Sequence, residues 1–200
     1  MPFSYYDRLP PSKKAIYRES DRVPEIELGE ATLLEEAVSA LEDALESGTA
    51  RRVQRASAGL CRRVTAHLGV EPVDVKVRAR RPKSEESELH GLYEREEGRR
   101  ALIQIWMRTA SRRQVVAFRT FLRTLVHELV HHLDFSLLGL AETYHTEGFF
   151  RRESSLGRQL APPPDVTEDQ PESAEEEPPD EVVADVADTE GPRQLELPLE

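Results

Sequence analysis

Residues 111–135 read SRRQVVAFRTFLRTLVHELVHHLDF, and this stretch decides which architecture the chain is expected to have. Apolar residues recur along it at three- and four-residue spacings, which predicts one long amphipathic helix. Ser111, with Gln114 three residues later, is a capping-box pattern and predicts that the helix begins near Ser111. The opposite, polar side of the predicted helix carries the residues that bear on function.

Two histidines share that polar side. A helix turns by about 100° per residue, so His127 and His131 lie about 40° apart, and Asp134 follows on the same stripe. His127-Glu128-Leu129-Val130-His131 fits the H-E-x-x-H pattern, in which both imidazoles reach one metal ion and the glutamate acts as a general base. His132 falls about 140° from His127, towards the apolar side, and is interpreted as a residue of the core edge and not as a ligand.

A third ligand is expected outside this helix, because a catalytic zinc usually takes three protein ligands and leaves one position to water. The single cysteine, Cys61, rules out a cysteine-based zinc ribbon, so the ligand is expected among His, Asp and Glu. Glu142, His145 and Glu147 are the candidates.

The rest of the first 160 residues alternates helical and extended patterns. Helices are predicted at residues 31–47, ending at Gly48, at 50–68 and at 145–160, with a short one in SKKAIYRES. The alternating PVDVKVRAR predicts a strand, and HGLYEREEGRRALIQIWM predicts a hairpin. The expected class is α+β: two N-terminal helices, a small and mostly antiparallel sheet, the H-E-x-x-H helix and a final helix.

HELVHH, followed after a short connection by YHTEGFFRR, resembles the SprT-like (Spartan-related) zinc metalloproteases. The resemblance implies a compact zincin-like domain over residues 29–160, although only these two motifs are specific. It also implies that His145 is the third zinc ligand, with Phe149 as the aromatic residue four positions later. The chain departs from the family pattern at Thr146, where glycine is usual, and Glu142 and Glu147 remain alternative ligands.

The resemblance also implies a mechanism of peptide hydrolysis. Zinc activates water and polarises the scissile carbonyl, while Glu128 accepts the proton and passes it to the leaving amine. Asp134 is a candidate to fix the tautomer of a ligand imidazole, or else an exposed carboxylate, and Tyr144 and Arg151 are candidates to stabilise the oxyanion. The strand with Ile103, Ile105 and Met107 is expected either to hold the substrate as an edge strand or to belong to the core.

Charge divides the chain into two parts. Residues 161 to 200 hold 14 acidic residues and one basic residue, whereas the part before them holds 26 basic and 24 acidic residues. We therefore expect an N-terminal arm at 1–28, the protease domain at 29–160 and a disordered acidic, proline-rich linker at 161–193. Arginine pairs in the basic part suggest weak DNA binding. The chain shows no secretion signal and no apolar run long enough for a bilayer, so a cytoplasmic or nucleoid-associated protein with no membrane partner is expected.

The last residues, 194–199, form a leucine-rich linear motif, QLELPL. It resembles the peptide with which bacterial repair proteins bind the sliding clamp, with Gln194 at the edge of the pocket and Leu195, Leu197 and Leu199 as its apolar residues. The leading hypothesis is a zinc endopeptidase tethered to that clamp, acting on proteins stalled or crosslinked on DNA. The alternatives are a regulatory protease that cleaves one partner, such as a repressor, and a non-catalytic zinc-stabilised adaptor.

Overall fold

The computed structural model describes residues 3–29, 32–79, 90–109 and 114–161, and within these ranges it has five α-helices and a three-stranded sheet. After a 3-10 turn at Tyr6–Arg8, the elements are α1 Pro11–Asp21, α2 Thr32–Glu46, α3 Ala50–His67, β1 Asp74–Arg78, β2 Gly91–Glu94, β3 Leu102–Trp106, α4 Phe118–Ser136 and α5 Glu147–Leu160. The predicted α+β class is confirmed. The predicted linker at 161–193, apart from Ala161, and the motif at 194–199 lie outside the described residues.

The helices α2 and α3 pack against each other through apolar faces. Their buried residues recur every three or four positions, which places them on one side of each helix. These residues are Leu34, Ala37, Val38, Leu41, Ala44 and Leu45 on α2, and Val53, Leu60, Cys61 and Val64 on α3. Both predicted helices are confirmed: α3 starts where it was predicted to start, and the other ends differ from the predicted ones by one residue.

The sheet has the order β1-β3-β2 and is mixed. β2 and β3 are antiparallel, with Tyr93 opposite Ile103, which confirms the predicted hairpin. β1 runs parallel to β3, with Val75 opposite Ile103, so the expectation of a mostly antiparallel sheet was wrong. The alternation of apolar residues predicts that a segment is a strand, but it does not determine the direction of its neighbour.

β3 is the central strand, with a neighbour on each side. Ile103 and Ile105 lie on it, Met107 follows it, and all three side chains are buried in the core. The interpretation of this strand as a substrate-holding edge was therefore wrong, and its alternative as core was right. The edge strand that packs beside α4 is β2.

The helix α4 begins at Phe118, seven residues later than the capping-box pattern predicts. Val115 forms an antiparallel bridge with Arg108, and the Val116 N–H donates to the Met107 carbonyl at 2.9 Å. These pairings hold residues 114–116 in an extended conformation, so Gln114 does not cap a helix. Ser111 lies outside the described residues.

The helix α5 begins at Glu147, two residues after the predicted start. Thr146 is its N-cap residue and accepts a hydrogen bond from the Phe149 N–H at 3.0 Å. His145 therefore lies in the connection between α4 and α5, where its ring is not constrained by a helix. No helix of the described ranges is long and apolar enough to cross a membrane.

Candidate metal centre

Two of the histidines project from α4 towards the same point. His127 and His131 are four residues apart on the helix, and their ring centroids are 5.0 Å apart. The buried side chains of α4 face the sheet and α5, and they include Leu125, Leu129 and Leu133. The packing of this apolar face fixes the direction in which the two imidazoles point.

His145 completes a cluster of three imidazoles. Its Nε2 lies 3.0 Å from Nε2 of His127 and 3.1 Å from Nε2 of His131. The potential ligand atoms of the three residues all lie within 4.8 Å of one another, so they are close enough to bind one metal ion. Nitrogens bound tetrahedrally to zinc lie about 3.3 Å apart, given Zn–N distances of about 2.0 to 2.1 Å, so the spacing fits such an ion.

The protonation state of the cluster also suits a metal. Burial, together with the charge of His127, lowers the pKa of His145 to about 4. Burial and the neighbouring histidines lower the pKa of His131 well below its ordinary value. At neutral pH both rings are therefore uncharged and can offer a nitrogen lone pair to a metal ion.

His127 is oriented by a carboxylate. Its Nδ1 lies 2.9 Å from Oε2 of Glu153, and the other oxygen of Glu153 accepts a hydrogen bond from Arg123 at 3.1 Å. Burial opposes ionisation of Glu153, but the interactions with His127 and Arg123 outweigh it and lower its pKa. The Nδ1–H of His127 thus donates to a carboxylate, which leaves Nε2 directed at the centre of the cluster.

His131 is oriented through a hydroxyl group. Thr143 donates its hydroxyl hydrogen to Asp134 at 2.8 Å, and its Oγ1 lies 2.9 Å from Nδ1 of His131. Because that hydrogen goes to Asp134, the oxygen of Thr143 accepts from Nδ1–H, and Nε2 again remains for a metal. Asp134 therefore acts on the imidazole through Thr143 and not directly.

The carboxyl group of Glu128 lies beside the edge strand. A Cβ atom at Gly91 would lie 2.7 Å from Cγ of Glu128 and 2.8 Å from its Cδ, so a larger residue there would have to displace this carboxyl group. Burial raises the pKa of Glu128 to about 7, against the lowering effects of His127 and of the Tyr93 backbone N–H. The side chain of Glu128 thus extends from α4 and packs against β2.

Aromatic rings enclose the cluster. Phe149 is fully buried and contacts all three imidazoles, with centroid distances of 5.1 Å to His127, 4.6 Å to His131 and 5.0 Å to His145. Tyr93 stacks on His131 at 6.2 Å. These rings limit the movement of the histidines and exclude water from one side of them.

Comparison of the chain with family models, with curated proteins and with solved structures found no match. The function therefore has to be argued from the geometry and chemistry of the cluster itself.

The other histidine of the helix lies outside the cluster, as predicted. His132 is buried, and its Nε2–H donates to the Glu71 carbonyl at 2.7 Å. Its Nδ1 therefore accepts from the Tyr93 hydroxyl at 3.2 Å. Both ring nitrogens of His132 are therefore occupied by hydrogen bonds within the protein.

The two alternative ligands lie elsewhere. Glu142 accepts a hydrogen bond from the Tyr144 hydroxyl and lies 3.4 Å from the Lys13 ammonium group, and Glu147 pairs with Arg151 at 2.6 Å. Neither glutamate belongs to the cluster that could hold a metal. Among the three candidates, His145 is the residue that joins His127 and His131.

The two predicted oxyanion residues have other partners. Burial, with the hydrogen bond to Glu142, raises the pKa of Tyr144, so its hydroxyl remains protonated. Arg151 is 62% exposed and pairs with Glu147. The structure does not bring either side chain into the histidine cluster.

Several residues of the site were not found from the sequence: Gly91, Thr143, Arg152 and Glu153. Their roles depend on contacts between elements, which helical periodicity does not report. For Glu153 the sequence did contain a signal. It lies four residues after Phe149 in the predicted last helix, so its carboxylate is on the same side of that helix as Phe149 and could have been proposed as a partner of a ligand imidazole.

Proposed function

We propose that this protein is a zinc-dependent endopeptidase of the SprT-like type. One observation carries the proposal: the Nε2 atoms of three imidazoles converge, and the carboxyl group of Glu128 is buried beside them. A set of three imidazoles suits zinc better than magnesium or calcium, which prefer oxygen ligands. The Nδ1 atoms of His127 and His131 already have hydrogen-bond acceptors, as in known metal sites.

The residues have distinct roles in the proposed reaction. His127, His131 and His145 would hold the ion, which when bound supplies Lewis acidity to a carbonyl group and lowers the pKa of water. Glu128 accepts the proton of the attacking water at a carboxylate oxygen and returns it to the nitrogen of the leaving amine. Its position against β2 supports an extended substrate that runs along this edge strand.

Replacement of Glu128 by Gln tests the proposal. The amide keeps the size of the side chain but cannot accept the proton, so we expect hydrolysis of casein and of fluorogenic peptides to fall about 10²- to 10⁴-fold. Zinc content should stay at that of the wild type. Glu142→Gln is the matched control, because this carboxylate lies outside the cluster, and it should keep full activity.

The same comparison separates the alternatives. A non-catalytic zinc-stabilised adaptor would show equal activity, or none, in wild type and Glu128→Gln, with zinc bound in both. A regulatory protease would cleave no general substrate but would cleave one partner protein, and Glu128→Gln would abolish that cleavage. Activity of Glu128→Gln equal to a measurable wild-type activity would refute the enzyme proposal.

Association with DNA is the second component of the proposal, and the exposed arginines of α3 support it. Arg51, Arg52, Arg55, Arg62 and Arg63 lie on this helix, which contains no acidic residue. By contrast Arg152 is buried, so the pair at 151 and 152 does not form a basic surface. Replacing Arg51 and Arg55 by Gln should weaken DNA binding and lower its salt dependence.

Recruitment to the bacterial sliding clamp through residues 194–199 is the third component, and it rests on the sequence alone. The double variant Leu197→Ala, Leu199→Ala should lose binding to purified clamp. The control Val182→Ala, Val183→Ala removes the same type of side chain from the same tail and should bind like the wild type. Clamp binding that survives the loss of both leucines would refute this component.

A further inference from the structure

The N-terminal arm, residues Phe3 to Leu28, contacts the connection that carries His145. The hydroxyl group of Tyr5 donates to the backbone carbonyl of His145 itself, at 2.8 Å. Burial raises the pKa of Tyr5, so the hydroxyl keeps the hydrogen that it donates. The arm thus bonds directly to the backbone of the third histidine, 140 residues further along the chain.

The end of α1 contacts the residues that follow His145. Oγ of Ser20 lies 3.1 Å from Oγ1 of Thr146, and the Gly148 N–H donates to a carboxylate oxygen of Asp21 at 2.8 Å. Thr146 is also the residue that caps α5. The arm therefore fixes both the backbone at His145 and the start of the next helix.

The contact at Gly148 leaves no space for a side chain. A Cβ atom there would lie 2.5 Å from the backbone oxygen of Ser20 and 2.7 Å from Cα of Asp21. Both neighbours are backbone atoms, so neither can move aside by a change of rotamer. Any larger residue at this position must push α1 and α5 apart.

A buried arginine ties the arm to the histidine helix. Arg152 is fully buried, and its guanidinium group donates to the carbonyls of Ser20 and Val23 and to the Ser20 hydroxyl. It also donates to Asp134 at 2.8 Å, and Asp134 accepts from Thr143, which orients His131. One hydrogen-bonded network thus joins the arm to a second histidine of the cluster.

Aromatic rings form a further contact between the arm and His145. Phe3 of the arm meets Phe150 edge-on at 5.8 Å, and Phe150 stacks on His145, also at 5.8 Å. The arm therefore touches the third histidine through a ring as well as through its backbone.

We propose that the N-terminal arm is a positioning element of the metal centre, which holds His145 in register with His127 and His131. His127 and His131 are spaced by α4, whereas His145 is located by the arm. Displacement of the arm, by a partner or by cleavage within it, would leave a centre of two histidines with low metal affinity. The inference rests on metal binding by the three histidines, and it does not require peptidase activity.

A matched pair of glycine variants of the full-length protein tests the inference. Gly148→Ala inserts a methyl group between α1 and α5, whereas Gly157→Ala adds the same group to α5 where nothing lies within 4 Å. Zinc affinity is measured by competition with a chromophoric chelator, and the coordination geometry by the absorption spectrum of the cobalt-substituted protein. Gly148→Ala should bind zinc about 10- to 100-fold more weakly and show an altered cobalt spectrum, whereas Gly157→Ala should match the wild type.

A second pair covers the case in which Gly148→Ala fails to fold. Tyr5→Phe removes only the hydroxyl that bonds to His145, and Tyr6→Phe removes a hydroxyl one residue away on the same arm. Tyr5→Phe should weaken zinc binding about tenfold at unchanged thermal stability of the metal-free protein, and Tyr6→Phe should not. Equal zinc affinity and equal cobalt spectra in the wild type, Tyr5→Phe and any folded Gly148→Ala protein would overturn the inference.

Failure of this inference is separable from failure of the proposed function. If the wild type binds zinc and the arm variants bind it equally well, the inference fails, while the loss of activity in Glu128→Gln is unaffected. If Glu128→Gln keeps full activity, the peptidase proposal fails, while the affinity ratios of the arm variants still measure the role of the arm.

Discussion

The helix α4 and the connection between α4 and α5 supply the same type of side chain to one cluster, but they position it in different ways. His127 and His131 are spaced by the regular turn of a helix, with contacts four residues apart. His145 has no such support. Its backbone carbonyl, Thr146 and Gly148 make hydrogen bonds with residues of the arm that are more than 120 positions away in the chain. The local structure of α4 therefore sets the positions of His127 and His131, whereas the position of His145 depends on tertiary contacts.

This difference predicts which substitutions affect the fold and which affect only the metal. The arm that contacts His145 is tied to α4 through the fully buried ion pair of Arg152 and Asp134, so loss of that pair should cost folding free energy. Glu153 and Thr143 bond to the imidazoles of His127 and His131, so their loss should weaken metal binding more than stability.

The largest effect on stability is expected from Arg152→Met. The substitution keeps much of the side-chain volume but leaves Asp134 buried without its charged partner, at a side-chain exposure of 0%. Loss of one partner of a buried pair typically costs about 3 to 5 kcal/mol in the free energy of unfolding. Urea unfolding of the metal-free protein measures it.

Arg151→Met is the control for this prediction. Arg151 is the adjacent arginine, and its solvent-exposed pair with Glu147 should contribute little to the free energy of unfolding. Equal unfolding free energies for the two variants would show that the buried network does not support the region around His145.

The next largest effect is expected from Glu153→Ala, measured as zinc affinity. Without the carboxylate, Nδ1 of His127 loses the partner that fixes its tautomer and orientation. Loss of such a partner typically weakens metal binding about 10- to 100-fold. Glu142→Ala, which removes a carboxylate outside the cluster, should bind zinc with the affinity of the wild type, and a reversed order of the two variants would contradict the assignment.

A smaller effect is expected from Thr143→Val. Valine has nearly the shape of threonine but cannot accept the Nδ1–H of His131 or donate to Asp134. Because α4 still places His131, we expect zinc affinity to fall about tenfold, at the lower end of the usual range. Thr143→Ser, which retains the hydroxyl, should restore most of the affinity, and a failure of serine to do so would exclude the hydroxyl as the cause.

The smallest effect on metal binding is expected from His132→Gln. This histidine is adjacent to His131 in sequence, but both of its ring nitrogens bond to other groups. Zinc content and affinity should stay within about twofold of the wild type, although stability should fall by about 1 to 3 kcal/mol because buried polar groups lose their partners. A protein that no longer binds zinc would place His132 in the centre.

The parts of this structure that were predictable from the sequence are those set by local periodicity. The spacing of four residues predicted that His127 and His131 would share a face, and the angle of about 140° predicted that His132 would not. The α2 and α3 helices were predicted almost to the residue because their apolar faces repeat regularly. For His145 the residues left three candidates open, and the resemblance to a known family favoured the one that joins the cluster.

The parts that were not predictable depend on contacts between distant segments. The bridge between Arg108 and Val115 moves the start of α4, and no local pattern reports it. In the sequence, Arg152 looks like half of an exposed basic pair. Its burial could not be predicted, because its partners Asp134 and Ser20 approach it only in the folded chain. The direction of β1 relative to β3 could not be predicted either, because apolar and polar residues alternate in the same way in parallel and antiparallel strands.

X-ray absorption at the zinc edge of the purified wild-type protein tests whether three histidines form the metal centre. We expect one zinc ion per chain with three imidazole nitrogens at about 2.0 to 2.1 Å and one further oxygen ligand. His145→Ala should then show a loss of one imidazole or of the zinc itself. A wild-type spectrum with two imidazoles or fewer, or one unchanged by His145→Ala, would contradict a centre built from His127, His131 and His145.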